Sequence, residues 1–247
     1  MSNSGHICWR KLMEYYYKIA DLIIRMESFG KTVKQAEPYR CEPVERADMT
    51  VRSNWRAIKA DAPHLSDESC EYIGTATNFY LKLLDFDGLM LHASAVMMDG
   101  KAYLFTAPSG TGKSTHTQLW LRNFGDRPQI LNDDKPALRL IDGVWYAYGT
   151  PWSGKSDLNI PARATLAGVC VLERGEQNRI APFRGKEAVQ MLCSQTVRPV
   201  NATMAMRYLT LLDKLITQVP VWKLSCNMDP QAALVSYEAM SGERKDV

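Results

Sequence analysis

Apolar and polar positions alternate along the chain with two different periods. Between residues 9 and 28, Trp9, Leu12, Met13, Tyr16, Ile19, Ala20, Ile23 and Met26 recur three and four apart, which predicts an amphipathic helix. Such a helix would pack on the body of the protein or dock a partner. Residues 30 to 64 are polar and irregular, with Pro38, Pro43 and Pro63 and a short strand over 48–52. A second helix is expected from Ser66, an N-cap followed by Asp67 and Glu68, through Tyr72, Phe79 and Leu84 to a stop near Gly88. The period then becomes that of strands. Residues 89–98 and 101–106 flank Asp99-Gly100, and residues 137–141 and 144–148 flank Asp142-Gly143. Both dipeptides are two-residue hairpin signals. Further strands are expected at 129–132, 166–172 and 219–224, and helices up to Phe124, at 185–194 and at 203–217. Asp229-Pro230 opens a last helix as N-cap and first-turn proline. The expectation is an α/β (α+β) chain: a mixed sheet with hairpins over residues 89–247, preceded by a small helical and irregular extension over residues 1–88.

Composition narrows the class without naming a function. With 46% hydrophobic and 23% charged residues, the 247-residue chain has ample apolar surface for one principal domain with an extension. Its 30 basic and 27 acidic residues leave a formal net charge of +3, too even to point to a nucleic-acid partner. No segment carries the roughly 20 apolar residues of a membrane span, and no secretory signal opens the chain. The expectation is a cytoplasmic protein with no membrane partner. Six cysteines without a Cys-x-x-Cys pair, and four histidines, argue against structural zinc and for reduced thiols.

The most informative segment is Ala107-Pro108-Ser109-Gly110-Thr111-Gly112-Lys113-Ser114. It has Walker A spacing with alanine in place of the first glycine, and it lies between the apolar run Tyr103–Thr106 and a helix-like run from Thr115. That chemistry needs consecutive backbone N–H groups turned into one concavity around phosphate oxygens, which Gly110 and Gly112 permit. A helix beginning near Lys113 adds its positive end. Lys113 would reach the β- and γ-phosphates of ATP, and the Ser114 hydroxyl would bind Mg²⁺.

Asn132-Asp133-Asp134 places two acids at the end of an apolar run, twenty and twenty-one positions after Lys113. Adjacent strand residues point to opposite faces. One acid can therefore serve a metal and the other a substrate hydroxyl, or both can be solvated in a turn before Pro136. The loop 149–155 contains Ser153, Gly154 and Lys155, which could present a hydroxyl, an N–H and a cation to an anion, or form plain surface. His116, one turn into the helix after the glycine loop, is expected to pack or face solvent rather than react.

Hairpins flank the glycine loop, unlike the repeated strand–helix alternation of ordinary P-loop NTPases. In order, Leu91-His92-Ala93-Ser94-Ala95-Val96, the glycine loop and Asn132-Asp133-Asp134 resemble the catalytic core of the HPr kinase/phosphorylase family. Its fold is shared with phosphoenolpyruvate carboxykinases. The resemblance spans roughly residues 89–240 and points to a divergent member outside the true HPr kinases. It implies an active-site role for His92, hydroxyl deprotonation by Asp134 and a place near the metal for Asp133. It also implies action on the transferred phosphate by Arg198, in Val197-Arg198-Pro199, and assembly as a homo-oligomer. The family's metal-ligating glutamate has no counterpart in Tyr148–Lys155, so reverse phosphorolysis is not expected.

These features point to an ATP- and Mg²⁺-dependent kinase acting on a hydroxyl of a peptide, protein or small metabolite. The alternative is a nucleotide-binding regulatory module that transfers nothing. Carboxykinase-like metabolism of a small acid fits less well, because no cluster of cationic and metal-binding residues for a dicarboxylate is evident.

Overall fold

Where three-and-four spacing suggested a helix, the chain forms a hairpin. The computed structural model describes residues 13–242, so Trp9 and Leu12 of that expected helix lie outside the described residues. Strands β1 (Met13–Ile19) and β2 (Leu22–Ser28) pair antiparallel, from Met13 opposite Ser28 to Ile19 opposite Leu22. Ala20 and Asp21 turn the chain with φ of 54° and 59°, as in a type I′ turn but without its usual glycine. Leu22, Ile24, Met26 and Ser28 are buried while the residues between them are half-buried. That period of two overlaps the helical spacing, and burial against neighbouring strands decides between them.

The stretch expected to be irregular also holds structure. Helix α1 (Lys31–Ala36), strands β3 (Arg40–Cys41) and β4 (Met49–Arg52) and helix α2 (Trp55–Asp61) follow in order. The strands complete a sheet of order β3-β1-β2-β4. Helices this short are marginal alone and are held by packing. Helix α3 (Asp67–Leu83) begins as expected, with Ser66 Oγ accepting from the Ser69 amide at 3.1 Å. Its Tyr72, Ala76, Phe79, Tyr80 and Leu83 share a core with Tyr17, Ile19, Ile24 and Met26, and also with Met90, Ala137, Tyr148 and Trp152. The apolar contact between the first 88 residues and the remainder is thus continuous.

The larger sheet is built from β5 (Gly88–Met90), β6 (Ala93–Met98), β7 (Lys101–Thr106), β8 (Gln129–Asn132), β9 (Ala137–Ile141), β10 (Val144–Tyr148), β11 (Arg163–Arg174), β12 (Arg179–Pro182) and β13 (Val221–Cys226). Helices α4 (Lys113–Phe124), α5 (Gly185–Ser194), α6 (Ala202–Gln218) and α7 (Gln231–Ser241) cover it. The order is β5-β9-β10-β11-β7-β6-β8, with β13 beside β11 and β12 beyond it. β7 and β13 run parallel to β11, and β10 antiparallel, so the sheet is mixed. Both Asp-Gly hairpins form, with positive φ at all four turn residues. Alternation splits the two central strands between two faces. Leu104, Val169 and Val171 pack with Leu192 of α5 and Leu211, Leu212 and Leu215 of α6. Tyr103, Phe105, Cys170 and Leu172 pack with Leu119 and Trp120 of α4 and Ala232 and Ala233 of α7.

One expected strand is broken. Residues 89–98 divide into β5 and β6 because His92 leaves the ladder: its N–H donates to Gln195 O at 2.7 Å and its carbonyl accepts from Thr106 Oγ1 at 2.8 Å. Among the described residues no helix is long and apolar enough to cross a membrane. Cys41, Cys70, Cys170, Cys193 and Cys226 are free thiols, and Cys8 lies outside the described residues.

Candidate active site at the ends of β7, β8 and β11

Residues 107–112 join β7 to α4. Gly110 and Gly112 have φ of 79° and 120°, which side-chain-bearing residues rarely adopt. An added Cβ at Gly110 would meet nothing within 4 Å, so conformation rather than crowding requires glycine there. The turn is closed by Thr111, whose hydroxyl donates to Pro108 O at 2.9 Å, and α4 starts with His116 N–H donating to Gly112 O at 2.9 Å. Ala107 is buried beneath the loop, while Pro108, Ser109, Gly110, Ser114 and Thr115 are exposed. Arg174, at the end of β11, donates to Gly110 O at 2.7 Å and to Thr111 O at 3.4 Å. No local pattern marked Arg174, which reads as part of a turn in the sequence. Beside the loop, Thr115, Leu119, Leu172, Cys226 and Met228 line a cleft of about 520 Å³.

Lys113 is half-buried and donates to Ala107 O at 2.9 Å. Burial pushes its ammonium below the ordinary lysine value, against the pull of Asp134 and Asp133. The two acids, in the bend just after β8, take different partners. Buried Asp133 accepts from Ser94 Oγ at 2.5 Å, and Ser94 lies 3.0 Å from Thr117 Oγ1 on the first turns of α4. Asp134 faces the other way. Its Oδ1 lies 3.1 Å from His92 Nε2, its Oδ2 pairs with Lys135, and His92 Nδ1 is 3.2 Å from Gln195 Oε1. Burial alone would raise the Asp134 carboxyl, but the His92 hydrogen bond and the Lys135 charge hold it below the ordinary aspartate value. Asn132 fixes this corner: its Oδ1 accepts from the amides of Asp134 and Lys135 at 2.9 and 2.7 Å.

The loop after β10 is used differently from the sequence expectation. Ser153 is buried, and its hydroxyl accepts from Asn159 Nδ2 at 2.9 Å. Gly154 N–H donates to Tyr72 Oη at 2.9 Å. Of the three groups expected to face an anion, only Lys155 is exposed, because Asn159 holds Ser153 and residues of α1 and α3 hold Gly154. Trp152 is buried on Phe79 with ring centroids 4.8 Å apart. In the segment after α5, Gln195 touches His92, whereas Arg198 is exposed with its charge acting on Tyr208. Gln195, Lys31 and Tyr72 carried no local signal; Lys135 stood next to the acids and was legible only by adjacency.

Two buried titratable groups give a pH signature. His116 packs, its ring 4.5 Å from Phe105, and burial pushes its imidazole down to about 4. Ser236 Oγ donates to Ala233 O at 2.9 Å and accepts from Trp120 Nε1 at 3.0 Å, so His116 Nε2 at 3.1 Å is its other donor. His116 is therefore the neutral Nε2–H tautomer. Glu71, buried on α3, accepts from Thr32 and from the Phe29 amide, yet burial, with Glu68 nearby, pushes it up from 4.5 to about 7. For Glu71 the folded state retains a proton that the unfolded chain loses, so stability falls as pH rises between those values. For His116 the unfolded chain binds the proton first, so stability rises with pH from about 4 to the usual 6.5. Each effect integrates to about 3 kcal/mol, and the two oppose each other between pH 5 and 6.5. Glu71→Gln should unmask the His116 effect as a urea midpoint that climbs over this range. A midpoint curve parallel to that of the unsubstituted protein would show that Glu71 titrates normally.

No protein-family model matches the chain, and no curated protein matches it. Among solved structures, the chain is similar to the Hpr(Ser) kinase/phosphatase from Coxiella burnetii. The two are 11% identical with a TM-score of 0.35, over 62% of this chain and 95% of that chain.

Proposed function

We propose that the protein is an ATP-dependent kinase that transfers the γ-phosphate to a hydroxyl, carried by a serine or threonine of a peptide or protein or by a small metabolite. The observation that carries this reading is the divergence of the two acids around Lys113. Asp133 faces the first turns of α4 and Asp134 faces His92 and Lys135, while both act on the Lys113 charge. The glycine loop and the start of α4 offer backbone N–H groups to the β- and γ-phosphates. Lys113 would exchange Ala107 O for phosphate oxygens, and the partly apolar cleft beside Thr115 and Leu119 would take the nucleoside.

The donor set suits Mg²⁺ with few protein ligands. Among the described residues no three His, Cys, Asp or Glu side chains gather into a metal cage. Ser114 and Asp133 would hold the ion, with phosphates and water completing its shell. Mg²⁺ bound there would neutralise charge on the transferring phosphate. Asp134, kept ionised by its neighbours, orients the acceptor hydroxyl and takes its proton as the new O–P bond forms and the β–γ bridging O–P bond breaks. His92 and Gln195 fix the carboxylate's direction.

The test is incubation of the full chain with labelled ATP, Mg²⁺, candidate peptides and free serine and threonine, with mass-spectrometric detection of added phosphate. Phosphorylation of a hydroxyl is the expected result. Tight MgATP binding without transfer to any acceptor would favour the regulatory module, a reading supported by the lack of an acid in Tyr148–Lys155.

A further inference from the structure

The two peptide groups that flank the Gly154 Cα are each held by α1 or α3. Its N–H donates to Tyr72 Oη of α3 at 2.9 Å. Its carbonyl accepts from Lys31 Nζ and, at 3.5 Å, from Gln35 Nε2, both on α1. Lys31 also lies over the Tyr72 ring, 4.5 Å from its centre, and Lys135 lies over the same ring at 5.7 Å. Tyr72 and Gln35 are buried. On its other side Gly154 lies directly against Asp134: with φ of +71°, a Cβ added there would sit 3.0 Å from Asp134 Cβ, Cγ and Oδ2.

We propose that Lys31 and Tyr72 are positioning residues of the candidate active site. Through Gly154 they set the direction of the Asp134 carboxylate and close the site on the side away from the glycine loop. This deepens the kinase reading and rests on it for its catalytic consequence. The main chain of Asp134 is fixed by Asn132 and by Ala93, whose N–H donates to Asp134 O at 3.1 Å. Its carboxylate is bounded by His92, Lys135 and the Gly154 backbone. Two of those three boundaries come from short connections next to strands of the larger sheet, His92 between β5 and β6 and Lys135 between β8 and β9. The third is placed by residues 82 and 123 positions away in sequence. With both flanking peptide groups held, the Gly154 Cα stays against Asp134; removing either bond frees one of those groups to turn, and the carboxylate can follow. Misplacement of a catalytic group by about 1 Å can cost about 10²-fold in rate.

The experiment uses the full chain with Tyr72→Phe and Lys31→Met, each removing one bond while keeping most of the packing volume. Three measurements are made: calorimetric MgATP affinity, amide hydrogen exchange over residues 152–156, and the ring NMR signals of His92, with His64 and His116 as controls. Both variants should keep wild-type MgATP affinity, with a thermal midpoint lowered by no more than the few degrees one lost hydrogen bond costs. They should lose protection at Gly154 and move the His92 signals while the control signals stay in place. With an acceptor in hand, kcat should fall about tenfold or more at unchanged KM for ATP, and Lys31→Arg should recover most of it. Unmoved His92 signals in both variants, or wild-type kcat despite lost Gly154 protection, would overturn the positioning role. Failure of the unsubstituted protein to bind MgATP would instead remove the kinase reading, while the exchange and His92 measurements would still decide whether Gly154 governs Asp134.

Discussion

Lys113→Ala is expected to weaken MgATP binding about hundredfold and to leave the fold intact. The ammonium is half-buried at the start of α4, with Ala107 O as its hydrogen-bond partner and the carboxylates of Asp133 and Asp134 acting on its charge. Nucleotide phosphates would replace a neutral carbonyl by anionic oxygens, and a hydrogen bond between charged groups is worth about 3 kcal/mol at the upper end of the usual range. That energy corresponds to about a hundredfold change in affinity. The stability cost should be small, because burial already disfavours the charged form of this lysine in the folded state. Calorimetry with MgATP, paired with a thermal melt, gives the answer. Wild-type affinity in the variant would remove the glycine loop from the nucleotide site.

Asp134→Asn should separate binding from transfer. The substitution keeps side-chain size and leaves the backbone bonds to Asn132 and Ala93 untouched. It removes the charge that pairs with Lys135 and accepts from His92, and with it the proton acceptor. MgATP affinity should stay near wild type, because the direct contacts of Asp134 are with His92 and Lys135 rather than with the glycine loop. Phosphoryl transfer should fall by about 10²-fold or more, the usual loss for a positioned general base. Transfer at the wild-type rate in this variant would show that another group takes the proton.

The contrast between these two variants follows from a short, local piece of chain, and that piece was legible without coordinates. Walker spacing, the strand before it and the helix after it locate Lys113 and Ser114, because loop conformation at Gly110 and Gly112 is a property of a few neighbouring residues. The Asp99-Gly100 and Asp142-Gly143 turns and the Ser66 cap of α3 were legible for the same reason. Asp133 and Asp134 take different partners, Ser94 and His92, but both lie in the bend after β8, so strand alternation does not by itself account for it.

What lay beyond the sequence depends on partners distant along the chain. Residues 13–28 satisfy a helical and a strand period at once, and pairing with β3 and β4 selects the hairpin. His92 leaves its strand because Gln195, 103 positions later, takes its N–H and faces its ring. The 149–155 loop looked free to present Ser153 and Gly154 to an anion, but Asn159 and Tyr72 already hold those groups. Glu71 is buried because Thr32 of α1 closes over it, a contact between segments that no local pattern carries. Local sequence therefore determined the backbone turns and the caps, since each depends on the conformational preference of a few adjacent residues, and it marked the candidate side chains. Tertiary packing decided which of those side chains meet and which backbone groups remain open, because burial and hydrogen bonding between remote segments override local preference wherever two arrangements are close in energy.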